Sequence, residues 1–405
     1  MSSAGTLLCI LSGRDRPGVT ATLLTALQSH PVTVEDMEQI IVRGRLILAV
    51  LLGLDSSTVS DVRATVHTTA SRLGLEAETV PGAAEIPALP TSRVHITVLG
   101  APLRPAPIAR IAETLADHGG NIDRIRRIAD YPVTAVVFEG SGVEVIELRQ
   151  ALGPLAVELG VDIAVQEAGL TRRGQRLIVM DVDSTLIQDV VIDLLAEHAG
   201  RGDEVARITE RAMAGEIDFA ESLTQRVAAL EGLDEAAITQ VQDAIRLTPG
   251  ARTLIRTLKA LGFYVCLVSG GFRQVIDPLA SDLGVDRVRA NVLEVVDGRM
   301  TGRLVGDVVD RVGKRQALED FSREFGVPLA QSIAVGDGAN DLDMLAAAGL
   351  GVAFNAKPAV RAAAHTSVSR PYLDSILFLL GVTRAEVEAA DRQHGLDIRR
   401  PEVPR

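Results

Sequence analysis

The sequence RLIVMDVDSTL, residues 176–186, places four apolar residues directly before two aspartates. Two later runs have the same form, FYVCLVSGG at 263–271 and SIAVGDGAND at 332–341. None of the three alternates polar and apolar residues, which is typical of strands that are buried on both faces of a parallel sheet. Helix-like stretches separate the runs, so the sequence predicts a doubly wound α/β domain.

Other segments set the limits of this domain, which we predict to span residues 171–382. Helix-like sequence without a buried strand interrupts it at about 189–248, and we expect these residues to form a helical cap. The sequence VVDGRM at 295–300 contains the Asp-Gly pair that favours a two-residue hairpin. Residues 383–405 are charged and contain prolines near their end, which predicts a helix followed by a tail.

The first 170 residues contain an internal repeat. TLLCILSG from Thr6 and VHITVLG from Val94 are β-rich runs that end in glycine, and each precedes an amphipathic helix whose end carries a histidine, His30 or His118. Each copy continues through two strand-like runs, a second helix and a closing strand, which gives a βαββαβ unit. We predict one unit at 1–80 and the second at 93–170, joined by a Pro-, Ala- and Gly-rich linker at 81–92.

The composition excludes several classes of protein. The 405 residues carry a net charge of −12, only 3% are aromatic and none is Trp, which argues against a nucleic-acid-binding protein. The longest apolar run, Leu46–Leu54, is about half of the roughly 20 residues that a membrane helix needs. Because the first residues also lack the features of a signal peptide, we expect a cytoplasmic protein without a membrane partner. Cys9 and Cys266 fall in strand-like runs, where buried free thiols are common.

Acidic and hydroxyl side chains accompany the end of each buried strand. Asp181 and Asp183 follow the first strand, Ser269 ends the second, and Asp337 and Asp341 follow the third. Ligands of open α/β sheets bind at the carboxyl ends of the strands, so we expect these groups to lie together at that edge. Crowded carboxylates repel one another unless a cation lies among them. Oxygen ligands without His or Cys favour Mg²⁺ as that cation.

A phosphate site is the second expectation for this edge of the sheet. Glycines beside Ser269 leave backbone N–H groups free to meet an anion, and Lys314, which precedes a helix, adds a positive charge. Taken alone, DVDST at 181–185 fits a helix cap with a surface acid. SGG at 269–271 and GDGAND at 336–341, each taken alone, fit tight turns. Together at three strand ends, they predict phosphoryl transfer through an aspartyl-phosphate.

These residues resemble the four motifs of the haloacid-dehalogenase (HAD) superfamily, as DVDST, SGG, Lys314 and GDGAND. The longer stretches DVDSTLI, GEIDFAESLTQRV, LVSGGF and VGDGANDLDML are similar to the phosphoserine phosphatase family, over residues 176 to about 380. The two N-terminal units resemble tandem ACT domains, which are small ferredoxin-like ligand sensors. The resemblance implies a Rossmann-like sheet with a helical cap. It also implies Mg²⁺-dependent hydrolysis of O-phospho-L-serine to L-serine and phosphate, the last step of serine biosynthesis.

The resemblance further implies a role for each motif residue. Asp181 becomes the nucleophile, and Asp183 the acid that protonates the leaving oxygen and then the base that activates water. Mg²⁺ is held by Asp181, the backbone carbonyl of Asp183 and Asp337, while Asp341 fixes metal-bound water and Lys314. The residues expected to meet the substrate are Ser269, Gly270 and Lys314 at the phosphate, Asn340 beside it, Met213 and Phe219 in the cap, and Arg226 at its carboxylate. Without the resemblance, Phe219 would be assigned to the core and Arg226 to a solvated surface.

One position departs from the family pattern, which has a Glu nine residues after the nucleophile, where it meets the amino group of the substrate. Here residue 190 is Val, in the sequence LIQDVVID. A buried ammonium without its carboxylate partner loses on the order of 3 kcal/mol or more. Asp189 is expected to point elsewhere, and Asp193 lies about one helical turn away. We therefore expect a working nucleophile with a raised KM for phosphoserine.

The first ACT-like unit carries a candidate effector site. Gly13, Asp15, Pro17 and Gly18 resemble the loop and helix start at which ACT domains bind amino acids, commonly across a dimer interface. The resemblance implies a homodimer, and L-serine, the product, is the expected effector. The sequence RDRPGV also fits a well-capped helix start that binds nothing. The second unit has Pro and Ala where the first has Asp and Gly, which fits a purely structural role.

Three functions are compatible with these observations. The first is a serine-regulated phosphoserine phosphatase, and the second is a phosphatase or phosphotransferase for another small phosphate ester, which Val190 favours. The third is an amino-acid-sensing regulatory protein with weakened phosphatase activity. The complete set of Asp181, Asp183, Ser269, Lys314 and Asp337 argues against the third function, and the substrate that is turned over separates the first two.

Overall fold

The structure is a computed structural model of the chain, and it describes residues 4–82, 92–213, 216–393 and 395–396. The chain divides into two compact units, residues 1–89 and 90–405. Most of the predicted linker at 81–92 and the end of the predicted tail, at 397–405, lie outside the described residues. Among the helices of the described part, none has both the length and the apolar character that crossing a membrane requires.

The first unit has the βαββαβ order that the repeat predicts. Its elements are β1 (Ala4–Arg14), α1 (Val19–Leu27), β2 (Thr33–Val42), β3 (Arg45–Asp55), α2 (Val59–Arg72) and β4 (Glu76–Gly82). The strands form an antiparallel sheet in the order β2-β3-β1-β4, with Cys9 opposite Val50 on one side and Thr79 on the other. Alternate residues of β1 face the two helices and are fully buried, and Cys9 among them is a free thiol, as predicted.

The second unit begins with another βαββαβ fold. Its elements are β5 (Arg93–Gly100), α3 (Pro105–Asp117), β6 (Asn121–Ala129), β7 (Thr134–Ser141), α4 (Val145–Leu159) and β8 (Asp162–Glu167). The sheet order β6-β7-β5-β8 repeats that of the first unit. Val94, Ile96 and Val98 pack against helices α3 and α4 through Ile111 and Leu148, so residues between them on β5 face the opposite side of the sheet.

A seven-stranded sheet follows in the same unit. Its strands are β9 (Leu177–Met180), β10 (Tyr264–Phe272), β11 (Arg287–Val296), β12 (Arg299–Val305), β13 (Ser332–Gly336), β14 (Leu350–Phe354) and β15 (Thr366–Val368). The order is β12-β11-β10-β9-β13-β14-β15, parallel except for β12. The three runs predicted as buried strands are β9, β10 and β13, at the centre of the sheet. Cys266 on β10 is a buried free thiol, as predicted.

Helices pack on this sheet and above its edge. They are α5 (Leu170–Arg173), α6 (Val191–His198), α7 (Gly202–Met213), α8 (Phe219–Ala228), α9 (Ala236–Ala244), α10 (Ala251–Ala260), α11 (Arg273–Leu283), α12 (Arg311–Phe325), α13 (Leu342–Ala347), α14 (Pro358–Ala363), α15 (Ile376–Leu379) and α16 (Arg384–Gln393). Four of them, α6 to α9, fall within the insertion that the sequence assigns to a cap. The predicted hairpin is present, with Asp297 and Gly298 at φ 51° and 75° between β11 and β12.

The second ACT-like sheet and the seven-stranded sheet are joined through buried polar contacts. Asp162 at the start of β8 accepts hydrogen bonds from the Ser367 hydroxyl at 2.6 Å and from the Ser369 N–H at 2.8 Å. Gln166 at the other end of β8 donates to the Leu379 carbonyl at 2.8 Å. Because these groups are buried and paired, they hold β8 against the end of β15 at Asp162 and against α15 at Gln166.

Candidate active site

Three strand ends meet at one edge of the seven-stranded sheet. β9 lies between β10 and β13 in parallel register, with Met180 opposite both Leu267 and Val335. The residues that follow these positions leave the sheet side by side, and the Asp181 N–H donates to the Val335 carbonyl at 2.9 Å. The acidic and hydroxyl side chains singled out in the sequence therefore lie together.

Lys314 lies among the carboxylates of this edge. Its Nζ is 2.7 Å from Asp181 Oδ1 and 2.7 Å from Asp341 Oδ1, and its side chain is 1% exposed. Lys314 lies in the first turn of helix α12, not before the helix as predicted, and Asp310 caps that helix by accepting a hydrogen bond from the Gly313 N–H at 2.8 Å. Burial lowers the pKa of Lys314, but the two carboxylates outweigh burial and raise that pKa above its ordinary value. The side chain is thus a fixed positive charge.

Three carboxylates at this edge fit a hard cation. One oxygen from each of Asp181, Asp337 and Asp341 lies within 4.8 Å of the other two. Burial and repulsion from Asp341 raise the pKa of Asp181, and the same two causes raise the pKa of Asp337 to about 6. Lys314 supplies one positive charge against three carboxylates, so negative charge is in excess. An all-oxygen donor set with excess negative charge is the kind that holds Mg²⁺.

Asp183 is held by hydrogen bonds on both carboxyl oxygens. Its Oδ1 accepts from the Val191 N–H at 2.9 Å, and its Oδ2 accepts from the Ser269 hydroxyl at 3.2 Å. Burial raises the pKa of Asp183, although these bonds and Lys314 oppose the change. A carboxyl group with a raised pKa can keep its proton closer to neutral pH and deliver it to a leaving group.

The loop after β10 supplies hydroxyl and backbone groups to the same place. Ser269 is fully buried, and its Oγ accepts a hydrogen bond from the Gly271 N–H at 2.8 Å. A Cβ at position 271 would lie 3.0 Å from both Asp183 Oδ2 and Ser269 Oγ. The close approach of Asp183 to this loop therefore favours glycine at position 271, because a larger residue would push Asp183 or Ser269 aside.

A cavity of about 180 Å³ lies between the strand ends and the cap. Seven residues predicted to take part in the site line it: Asp181, Asp183, Arg226, Gly270, Lys314, Asp337 and Asn340. Ser269 and Asp341 do not line the cavity, but each contacts a residue that does. The Ser269 hydroxyl donates to Asp183, and Asp341 accepts a hydrogen bond from Lys314. The side chains of Met213 and Phe219 lie outside the described residues.

The cap side of the cavity combines one cation with an apolar wall. Val190, Ile192 and Leu223 line the cavity together with Arg226 of helix α8. Burial lowers the pKa of Arg226, while Asp193 and Asp183 attract its charge and oppose that change. The wall around position 190 therefore offers a substrate hydrocarbon contact rather than a charge.

The two aspartates nearest to Val190 have other partners. Asp189 accepts hydrogen bonds from the backbone N–H and the guanidinium of Arg246, at 2.8 and 2.6 Å, so it points away from the cavity, as expected from the sequence. The Asp193 N–H bonds the Val190 carbonyl, one turn into α6. Burial raises the pKa of Asp193, while the neighbouring Arg226 opposes that change. Neither aspartate lines the cavity.

Sequence reasoning missed several residues of this site. Thr185 is fully buried, donates to Asp337 Oδ1 at 3.4 Å, and accepts a hydrogen bond from Thr248 through its carbonyl at 2.7 Å. Ile192 and Leu223 form the apolar wall, and Leu223 comes four residues after Phe219, a helical spacing that the sequence did contain. The Thr185–Thr248 contact joins the two ends of the cap insertion and has no local sequence signal.

The proposed effector residues of the first unit lie around the end of β1 and the start of α1. Gly18 precedes α1 at φ 90°, a left-handed conformation that favours glycine. The Asp15 N–H donates to the Gly44 carbonyl at 2.8 Å, which ties the loop to the β2–β3 turn. A Cβ at Gly13 would lie 2.5 Å from a Leu75 methyl group. Packing against Leu75 at Gly13 and the left-handed backbone at Gly18 account for these two glycines.

The described geometry can be compared with known families. Residues 178–346 match the family model of haloacid dehalogenase-like hydrolases, and residues 5–80 and 92–166 each match a model of the ACT domain. A phosphoserine phosphatase of Streptomyces coelicolor is 56% identical over 395 residues, which is 96% of this chain and 95% of that protein. One of Mycobacterium tuberculosis is 49% identical, with 100% of both chains covered.

Solved structures of similar proteins come from the same family. A probable phosphoserine phosphatase of Vibrio cholerae, 34% identical, aligns with a TM-score of 0.54 over 75% of this chain and 90% of its own. A HAD-family hydrolase of Salmonella enterica serovar Typhi, 28% identical, aligns with a TM-score of 0.62 over 71% of this chain and 98% of its own. The predicted fold class, two ACT domains before a HAD domain, is therefore confirmed.

Proposed function

The chain belongs to the phosphoserine phosphatase family of haloacid dehalogenase-like hydrolases, and from this premise we propose that it hydrolyses O-phospho-L-serine through a phosphoryl group carried on Asp181. The observation that carries the proposal is the position of Asp181, 2.7 Å from the buried Lys314 ammonium and in the cavity that Asp183 also lines. A carboxylate paired with a fixed cation beside a second, protonatable carboxyl is the arrangement that phosphoryl transfer through aspartate needs.

In the first half of the reaction, an oxygen of Asp181 forms a bond to phosphorus while the bond from phosphorus to the serine oxygen breaks. Lys314, the Ser269 hydroxyl and the Gly270 backbone hold the phosphoryl oxygens. Asp183, whose pKa is raised by burial, gives its proton to the leaving serine oxygen. The proposal assigns Arg226 to the substrate carboxylate and Asn340 to a position beside the substrate, and both line the cavity.

In the second half, Asp183 has lost its proton and acts as the base. It takes a proton from water as the water oxygen bonds to phosphorus, and the bond between phosphorus and Asp181 breaks to release inorganic phosphate. The Val191 N–H keeps the Asp183 carboxylate in place between the two steps. The same carboxyl group therefore serves both proton transfers.

Mg²⁺ is the proposed cofactor. Asp181 and Asp337 would hold it together with the backbone carbonyl of Asp183, and Asp341 would support them through Lys314. When bound, the ion supplies positive charge that stabilises the phosphoryl oxygens as negative charge builds on them. Support for this assignment comes from the excess of carboxylates over cations at the strand ends.

Regulation by an amino acid is the proposed role of the ACT domains. L-Serine, the product, is the proposed effector at Gly13, Asp15 and Gly18 of the first domain. The proposal is supported by the two ACT-domain matches and by the open space at Gly18, where a Cβ would meet nothing within 4 Å.

The function is tested by phosphate release from L-phosphoserine and from p-nitrophenyl phosphate, each with Mg²⁺ and after its removal with EDTA. We expect Mg²⁺-dependent release from L-phosphoserine. Release from the aryl ester alone would mean that the cap selects another phosphate ester, as the apolar Val190 wall would favour. No release from either would move the assignment to an amino-acid sensor.

The substitution Val190→Glu tests how the cap selects its substrate. A carboxylate at this position would pair with the substrate ammonium, so we expect the KM for L-phosphoserine to fall about tenfold or more, with kcat changed by less than about threefold. The variant Val190→Gln, of equal size and without charge, is the matched control and is expected to keep the original KM. Steady-state kinetics at fixed Mg²⁺ give both constants, and an unchanged KM in Val190→Glu would contradict this account of the pocket.

A further inference from the structure

A second polar cavity lies within the second unit, away from the catalytic edge. It has a volume of about 650 Å³ and lies between the second ACT-like sheet and helix α5, beside Gly381. His95 on β5 lines it, on the face opposite to the buried residues Val94 and Ile96 that pack on the ACT helices. The cavity thus lies on the sheet face that turns toward the phosphatase domain.

The charge of this cavity is opposite to that of the chain. Four arginines line it, Arg93, Arg126, Arg172 and Arg173, together with His95. Only two carboxylates, Asp123 and Glu139, are among its lining residues, in a protein whose net charge is −12. Concentrating cations in one concave place raises the local concentration of anions there.

The cations of this cavity are poorly compensated. Glu139 pairs with Arg126 at 3.1 Å. Burial and the charge of Arg172 lower the pKa of His95, and burial and the charge of Arg173 lower the pKa of Arg172. Like charges held together in this way favour an anion placed among them.

Two nitrogen atoms of the cavity residues have no hydrogen-bond partner within the part of the chain that the structure describes. His95 Nδ1 and Arg172 Nε are both buried, and neither has a hydrogen-bond partner among the described residues. Another nitrogen of Arg172 donates to the Leu379 carbonyl at 3.2 Å, at the end of α15. A buried N–H without a partner is costly, and an anionic oxygen is the partner that matches Arg172 Nε, and His95 Nδ1 when that nitrogen carries the proton.

We propose that this cavity binds a small anionic metabolite through a phosphate or carboxylate group held by His95, Arg126, Arg172 and Arg173. Its volume exceeds what a single phosphate ion fills and is typical of a metabolite site. Arg172 connects the anion to the Leu379 carbonyl, which also accepts from Gln166 of β8. The bound anion therefore strengthens the contact between the ACT sheet and the phosphatase domain. The site is independent of the catalytic assignment, because none of its lining residues lines the catalytic cavity.

Histidine NMR on the full-length protein tests the proposal. ¹³C-labelled histidine gives a separate ring signal for each histidine, and the variant His95→Gln identifies the signal of His95. Inorganic phosphate and succinate are titrated separately at fixed pH and ionic strength. Because no described residue lining the catalytic cavity is a histidine, phosphate binding at the catalytic site is distinguished from binding beside His95.

We expect the His95 signal to shift with half-saturation below about 10 mM for at least one of the two anions. A response to phosphate alone assigns the site to phosphorylated metabolites, and a response to succinate alone assigns it to carboxylates. In the double variant Arg126→Gln/Arg173→Gln we expect half-saturation to need at least about tenfold more anion. Arg127→Gln is the matched control, because Arg127 is the next residue of β6, does not line the cavity and points to the other face.

Two results would overturn the proposal. One is a His95 signal that neither anion moves. The other is a titration in Arg126→Gln/Arg173→Gln that matches the unsubstituted protein, since the anion would then bind without the proposed arginines. Arg172 is left unchanged in these variants because its contact with Leu379 supports the fold.

Discussion

Replacing Asp181 with asparagine is expected to lower kcat for L-phosphoserine by about 10⁴-fold or more, because the amide cannot form the proposed bond to phosphorus. The fold is expected to remain intact. Asp181 is 3% exposed, asparagine has the same shape, and Lys314 keeps its ion pair with Asp341 at 2.7 Å. The loss of activity should therefore come with a Tm within a few degrees of the original.

The matched control for this variant is Asp343→Asn, which lies two residues beyond Asp341. Asp343 forms a surface ion pair with Arg311, and its side chain is 33% exposed. Exposed ion pairs contribute little to stability, so this variant is expected to keep kcat within about twofold. Substantial phosphate release by purified Asp181→Asn would remove Asp181 from the role of nucleophile.

Replacing Lys314 with methionine has the second large expected effect, on both stability and rate. Methionine keeps the length of the side chain and removes its charge, which leaves Asp181 and Asp341 as buried carboxylates without a cation. Breaking a buried ion pair in this way costs on the order of 3–5 kcal/mol. We expect urea unfolding of the metal-free variant to show a loss of this size, and kcat to fall about 10³-fold because a phosphate ligand is lost.

Mg²⁺ provides a further comparison for the same variant. An added divalent cation should offset the uncompensated carboxylates, so Mg²⁺ is expected to raise the Tm of Lys314→Met by more than that of the unsubstituted protein. Lys259→Met is the matched control, because Lys259 pairs with Asp286 at 2.6 Å but its side chain is 35% exposed. Equal destabilisation of the two variants would show that the Lys314 cluster has no special electrostatic importance.

Much of the fold could be predicted because local patterns and long-range structure agree. The apolar runs at 177–180, 264–268 and 332–336 lack polar alternation, and these segments form the central parallel strands. Parallel strands deliver their following residues to one edge, so Asp181, Ser269 and Asp337 could be placed together without knowledge of the other contacts. The internal repeat likewise predicted two βαββαβ units, and the structure gives their sheets the same strand order.

The remaining features depend on contacts between residues far apart in the chain. Nothing near Asp189 in the sequence identifies Arg246 as its partner, 57 residues later. The apolar wall of Ile192 and Leu223 forms only when α6 and α8 pack over the strand ends. The cationic cavity around His95 and Arg172 combines strands β5 to β7 with helix α5, so neither residue is prominent in a linear reading.

The central claim is that the phosphoryl group of the substrate is carried on Asp181. The measurement that tests it most directly is rapid quenching of the full-length protein during turnover of L-phosphoserine with Mg²⁺, followed by borohydride reduction and peptide mass spectrometry. An acyl-phosphate is reduced to an alcohol, so the account predicts homoserine at position 181 and aspartate at positions 183, 337 and 341. Reduction at another residue, or turnover that leaves position 181 as aspartate while the reagent reduces a control acyl-phosphate, would contradict it.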